Sequence, residues 1–160
     1  MGDEGQSGMG QVPERLADFL PYQLSVTSNA VSSLIAQRYR TRFGLKIPEW
    51  RIMAVLGDAG TATQRELTNA TLMDKVAVNR ACKVLEERGL IRRLPNAQDG
   101  RSHLLELTED GRTVHSEIMP MARSSEREIF AVLEHAEQEQ FRGMLRRLLS
   151  QTGTIGSGPD

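Results

Sequence analysis

Apolar residues recur along most of this chain at helical spacing. Between Pro21 and Phe43 they fall at Leu24, Ala30 or Val31, Leu34 and Ile35, with polar Gln37, Arg38 and Arg40 beyond them. That spacing predicts a helix with Pro21 in its first turn and Gly44 at its end. A second helix is expected from Pro48, carrying Trp50, Ile52, Met53, Val55 and Leu56 and closing before Gly57 to Gly60. Thr63 followed by Glu66 is a capping-box pair, which predicts a short helix through Leu67 to about Ala70. A turn at Thr71–Asp74 leads into a helix from about Lys75 to Arg88, stopped by Gly89 as its C-terminal cap.

The pattern then changes. Leu90 to Leu94 and Ser102 to Leu107 flank the turn-rich stretch from Pro95 to Gly100, which reads as a β-hairpin. Thr108, with Glu109 and Asp110, caps a long helix that passes or kinks at Pro120 and runs towards His135. A last helix is expected over about Glu137 to Ser150, with Phe141, Met144, Leu145, Leu148 and Leu149 on its apolar side. Residues 1–11 and 151–160 are Gly/Ser-rich and read as flexible tails. The expected fold is mainly α with a small β-hairpin wing, a winged helix-turn-helix over residues 48–108. Residues 12–47 and 109–150 then supply N- and C-terminal dimerisation helices. Their apolar stripes exceed what so small a domain can bury, and twofold pairing is the simplest remedy.

At 160 residues the chain has the size of one domain, and aromatics at 4 % leave it an aliphatic core. The net charge of −1 at first argues against nucleic acid. Divided along the chain, it changes meaning. Residues 1–74 carry 7 basic and 8 acidic side chains, and residues 102–160 carry 6 and 10. Residues 75–101 carry 7 basic against 3 acidic, a block of +4.

On the helix from Lys75 to Arg88, Val78, Ala81, Cys82 and Leu85 form one apolar face. The other face presents Lys75, Val76, Asn79, Arg80 and Lys83. Arginine bonds guanine bidentately, asparagine does the same for adenine, and a small apolar group meets the thymine methyl. Lys75 and Lys83 suit phosphates. In the hairpin, Arg92, Arg93 and Arg101 surround a loop that also holds Asp99, the arrangement of a wing lying along a phosphate backbone. An arginine at its tip can enter a narrow minor groove. Asp99 is placed to hold the Arg101 side chain. The bland alternatives are a solvated helix face and a surface ion pair.

The stretch from Tyr39 to Gly111 resembles the MarR family of bacterial transcription regulators. The resemblance is most specific in MDKVAVNRACKVLEERGLI, in the DGRS of the wing and in the LTEDG that follows. It implies an obligate homodimer on a pseudo-palindromic double-stranded operator, with one recognition helix per subunit in successive major grooves and the wings in the minor groove. It also implies a repressor released by a small aromatic or phenolic acid or its coenzyme A thioester. Many members carry Ser or Thr where this chain has Ala77 and Asn79, so operator preference does not carry over. Asn79 and Arg80 are left as the better base contacts.

The resemblance places an effector near the first two helices and the start of the long helix. Tyr22, Ser28, Asn29, Ser32, Arg40, Arg51 and His115 are the polar candidates there. Ser28, Asn29 and Ser32 share a helical face, and Arg51 beside Trp50 suits an anionic head group. Dimer-interface bonds are the bland reading of each. Other chemistries find less support. Cys82, the single cysteine, faces the core and reads as an inert thiol before an oxidation sensor. His103, His115 and His135 lack metal-ligand spacing, and the internal methionines read as packing. The Gly5–Gly10 run follows no strand and is not a phosphate loop. There is no nucleophile elbow, His-Glu metal pair or Walker loop, so no enzyme and no cofactor are expected. A winged helix serving only as a protein-interaction scaffold is the competing class. No secretory signal and no bilayer-spanning run are read, and the chain is expected in the cytoplasm.

Overall fold

A computed structural model of the chain describes residues 15–156. The tail expected over residues 1–11, with its glycine run, lies outside them. A 3-10 turn at Leu16–Asp18 precedes α1 (Leu20–Phe43) and α2 (Ile47–Ala59). Then come β1 (Thr61–Thr63), α3 (Gln64–Thr71), α4 (Lys75–Glu87), β2 (Ile91–Pro95) and β3 (His103–Leu107). Two long helices, α5 (Glu109–Phe130) and α6 (His135–Gly156), complete the described chain. This is a mainly helical winged helix-turn-helix.

Most helix ends follow from local chemistry. Gly44 closes α1 in the left-handed region, at φ 63°, with its N–H donating to the Arg40 carbonyl. Thr63 Oγ1 accepts the Glu66 N–H at 3.2 Å, while the Glu66 carboxylate accepts the Thr63 N–H at 2.7 Å. Asp74 caps α4 by accepting the Ala77 N–H at 2.8 Å.

Four boundaries differ from the sequence expectation. Helix α2 runs through Gly57 and ends at Gly60. The His115 ring of α5 occupies the space where a Cβ on residue 57 would stand, so that glycine serves helix approach rather than termination. The sheet has a third strand. β1 pairs antiparallel with β3 (Ala62 opposite Leu105), giving the order β1-β3-β2. Three residues are too few to show an alternating pattern. Helix α5 stops at Phe130, short of His135, because the Gln138 amide of the next helix donates to the Phe130 and Leu133 carbonyls, both at 3.1 Å. Finally, α6 begins at His135 and continues to Gly156, through the first part of the expected tail.

The core lies where α2, α3 and α4 meet the sheet, with Ile52, Leu56, Leu67, Val78, Cys82, Leu85 and Leu105 fully buried. Tyr39 and Trp50 extend it to α1, and Ile118 to α5. Two joints fix the lobe to the long helices. Arg88, just past the end of α4, donates to the last carbonyls of α1, Phe43 at 2.6 Å and Gly44 at 3.2 Å. Gly111, in the first turn of α5, is buried against the Leu90 carbonyl, and a Cβ there would collide with it. Arg38 pairs with Glu128 at 2.5 Å, and Arg42 pairs with Glu117, tying α1 to α5. Outside the lobe, Leu20, Leu24 and Val26 on α1 and Met144, Leu148 and Leu149 on α6 are exposed.

Candidate nucleic-acid interface

Helix α4 divides as its periodicity requires. Val78, Ala81, Cys82 and Leu85 are buried, while Lys75, Val76, Asn79, Arg80 and Lys83 face solvent. Val76 is 67 % exposed, an apolar side chain that the fold leaves uncovered. Lys83 Nζ stands 3.9 Å from Glu87 one turn on. Lys75 and Arg80 have no carboxylate partner among the described residues.

The wing differs from expectation in detail. Arg92 does not stand free for phosphate. It is held across the hairpin by Glu106, directly opposite in register, at 2.5 Å. Arg93 meets Glu86 of α4 with two bonds, at 2.6 and 3.0 Å. Nor does Asp99 hold the Arg101 side chain. Its carboxylate accepts the Arg101 backbone N–H at 3.1 Å, a local turn that shapes the loop. Asn96 does similar work by donating to Ser102 Oγ at 2.8 Å and accepting the Gln98 N–H at 3.1 Å. The Arg101 guanidinium is left without an ion pair among the described residues. The Arg92 partner, Glu106, comes from the next strand and lies outside the segment counted, while Glu86 lies inside it but its pairing with Arg93 is not visible in a charge sum.

A cleft of about 590 Å³ runs between α3 and the wing, lined by Arg65, Asn69, Arg101 and His103 among others. A second, of about 240 Å³, separates α3 from the start of α4, with Arg65 and Asn69 again on its wall and Lys75 opposite. Sequence reasoning missed Arg65 and Asn69. Their signal was present, since Gln64, Arg65, Thr68 and Asn69 form a polar face opposite buried Leu67. Arg65 too lacks a carboxylate partner among the described residues.

The effector candidates are only partly gathered. Arg51 donates to Ser32 Oγ at 3.3 Å. Trp50 stands between Tyr39 and His115, with ring centroids at 5.7 and 5.6 Å. Tyr22, Ser28, Asn29 and Arg40 are exposed along α1, and Tyr22 lies about 15 Å up the helix from Ser32. Burial, reinforced by Glu86, pushes the Cys82 thiol up to about 11, which keeps it protonated and unreactive at neutral pH. Among the described residues no three His, Cys, Asp or Glu side chains group as metal ligands, and no helix is long and apolar enough to cross a membrane.

A sequence model of the MarR family matches residues 43–102, the stretch from the end of α1 to the wing loop. A probable transcriptional regulator from Pseudomonas aeruginosa is 33 % identical, with a TM-score of 0.73, over 84 % of this chain and 99 % of its own. A MarR/EmrR family transcriptional regulator from Acinetobacter sp. ADP1 is 26 % identical, with a TM-score of 0.81, over 88 % and 99 %. BpsR of Bordetella bronchiseptica, whose DNA binding is regulated by 6-hydroxynicotinic acid, shares the fold at 23 % identity and a TM-score of 0.76, over 86 % and 97 %. No curated protein matches the chain. A solvent-exposed polar face on α4, a shaped wing beside it and relatives alike over nearly their full length lead to one assignment: the chain belongs to the MarR family of transcriptional regulators.

Proposed function

We propose that this regulator is a homodimeric, sequence-specific DNA-binding repressor, released from a pseudo-palindromic operator by a small aromatic acid or its coenzyme A thioester. The observation that carries the DNA reading is the solvent-facing set Val76, Asn79 and Arg80 on α4 beside the unpaired guanidinium of Arg101. Asn79 and Arg80 have the donor geometry for base edges, Val76 suits a thymine methyl, and Lys75 and Lys83 suit the backbone. Arg101, at the wing tip, suits a minor groove. Dimer formation is supported by the exposed apolar residues of α1 and α6, whose burial between two copies removes them from water. Release by an acid is supported by Arg51, an exposed cation that donates to Ser32 Oγ and follows Trp50 of the Trp50–His115 stack in the chain. The regulation of BpsR by an aromatic acid agrees with this chemistry.

The test starts from duplexes that the wild-type protein enriches from a random pool. Arg80→Ala is expected to lose about 1–3 kcal/mol on the enriched duplex, a bidentate base contact, and to relax selectivity. Arg101→Ala weakens binding across all sequences. Equal binding by wild type and both variants overturns the reading in favour of an interaction scaffold, which would also show no steep loss of affinity with salt.

A further inference from the structure

The Glu86–Arg93 pair differs from the other ion pairs of the wing in what it joins. Arg92 and Glu106 face each other within one hairpin, so their contact cannot set where that hairpin points. Glu86 lies in the last turn of α4, and Arg93 lies in the middle of β2. Between them the chain reverses through Gly89, at φ 68°, a joint with wide rotational freedom. The pair closes that joint from the side with two roughly parallel bonds, a geometry that fixes orientation as well as distance. The Glu86 side chain is only 25 % exposed, packed near Cys82 of the core. Arg93 forms part of the wall of the cleft whose other members include Arg65 and Arg101.

We propose that Glu86 and Arg93 are positioning residues that lock the wing against the recognition helix. In this arrangement Arg101 and Arg80 meet one duplex together, and Arg93 is not itself a phosphate ligand. This rests on the DNA-binding reading above and deepens it. It also predicts a sign that charge alone does not. Removing a carboxylate from a DNA-binding face raises attraction for phosphate, yet removing this one weakens binding, because the wing loses its fixed angle.

The experiment measures binding to the duplex enriched by the wild-type protein, across a salt series, with thermal unfolding as a check that each variant is folded. Glu86→Gln and Arg93→Gln are each expected to weaken binding to that duplex about tenfold, as a loosened supporting contact does. Binding to random-sequence duplex changes little. The slope of log affinity against log salt stays as in the wild type, whereas loss of a phosphate contact lowers it by about 0.9 per contact. The exchanged pair, Glu86→Arg with Arg93→Glu, restores the contact with its ends reversed and is expected to recover most of the lost affinity. Binding by Glu86→Gln as tight as or tighter than wild type overturns the proposal. So does an exchanged pair that binds worse than either single variant, since that places a repelling carboxylate where phosphate was held. Should the wild-type protein enrich no duplex at all, the DNA-binding reading itself falls, and this assignment with it.

Discussion

His115 shows how one side chain ties together packing, titration and sequence choice. Its ring stacks on Trp50 at an interplanar angle of 29° and fills the space above Gly57. Burial holds its pKa below the ordinary 6.5, because the charged imidazolium is the form that loses hydration. The unfolded chain therefore takes up this proton first as pH falls. The stabilisation is complete above about pH 6.5 and is lost below it, as protonation favours the unfolded state. Glu66, bonded to the backbone and hydroxyl of Thr63, and Glu128, bonded to Arg38, are held below 4.5. Their contributions are lost in a separate, more acid window. Urea unfolding at stepped pH is expected to show stability falling as pH drops below about 6.5, with His115→Gln flattening that first decline and leaving the more acid one. An unchanged profile in the variant contradicts the assignment. None of this was legible in the sequence, where His115 stood only as a polar candidate for an expected effector site. Gly57 read as a helix stop because its real partner is 58 residues away.

Among the elements, those whose ends are capped by their own neighbours were readable, and those capped from elsewhere were not. Thr63 with Glu66, Gly44 and Gly89 marked their helices correctly, since each acts within a few residues. The break at residues 131–134 depends on the amide of Gln138, and β1 exists only because β3 is there to pair with it. The solvent-exposed face of α4 was legible for the same reason as its core face, through period alone. The pairing of Arg92 and Arg93 was not, because their carboxylates come from the opposite strand and from another element. Thr108 is an element-scale pin: its hydroxyl donates to the Gly89 carbonyl at 2.6 Å and accepts the Gly111 N–H at 3.0 Å. Thr108→Ala removes a cap and a cross-link together and is expected to cost about 1–2 kcal/mol. Thr108→Ser keeps both bonds and stays close to wild type. Denaturant midpoints measure the difference, and equal midpoints for the two variants would show that the pin carries no stability.

In the whole molecule, the uncovered apolar residues of the long helices and the basic block of residues 75–101 belong to different elements. Arg65, Lys75, Arg80 and Arg101 of the lobe have no carboxylate partner among the described residues, while α1 and α6 carry Leu20, Leu24, Val26, Met144, Leu148 and Leu149 uncovered. A sequence-wide charge of −1 conceals this sorting, and division into segments recovers it. Segment arithmetic nevertheless overstates the free charge of that block by one, because Glu106, outside it, engages Arg92. If two copies pair through the long helices, Leu148→Glu with Leu149→Glu is expected to give a monomer in sedimentation. Affinity for the enriched duplex should fall with it, because two half-sites bound by one body become two independent events. A dimer surviving the double substitution places the interface elsewhere.

The contact at Gly111 bears on how this chain can vary. Any side chain at residue 111 must displace the Leu90 carbonyl, and Leu90 is the last residue before the wing begins. The carbonyl also accepts the Thr108 N–H, so it is anchored from a second direction. Of the twenty amino acids, nineteen would push on the root of the wing. Mutational drift is therefore closed at this residue, while its exposed neighbours Asp110 and Arg112 have room on the outer side of the same turn.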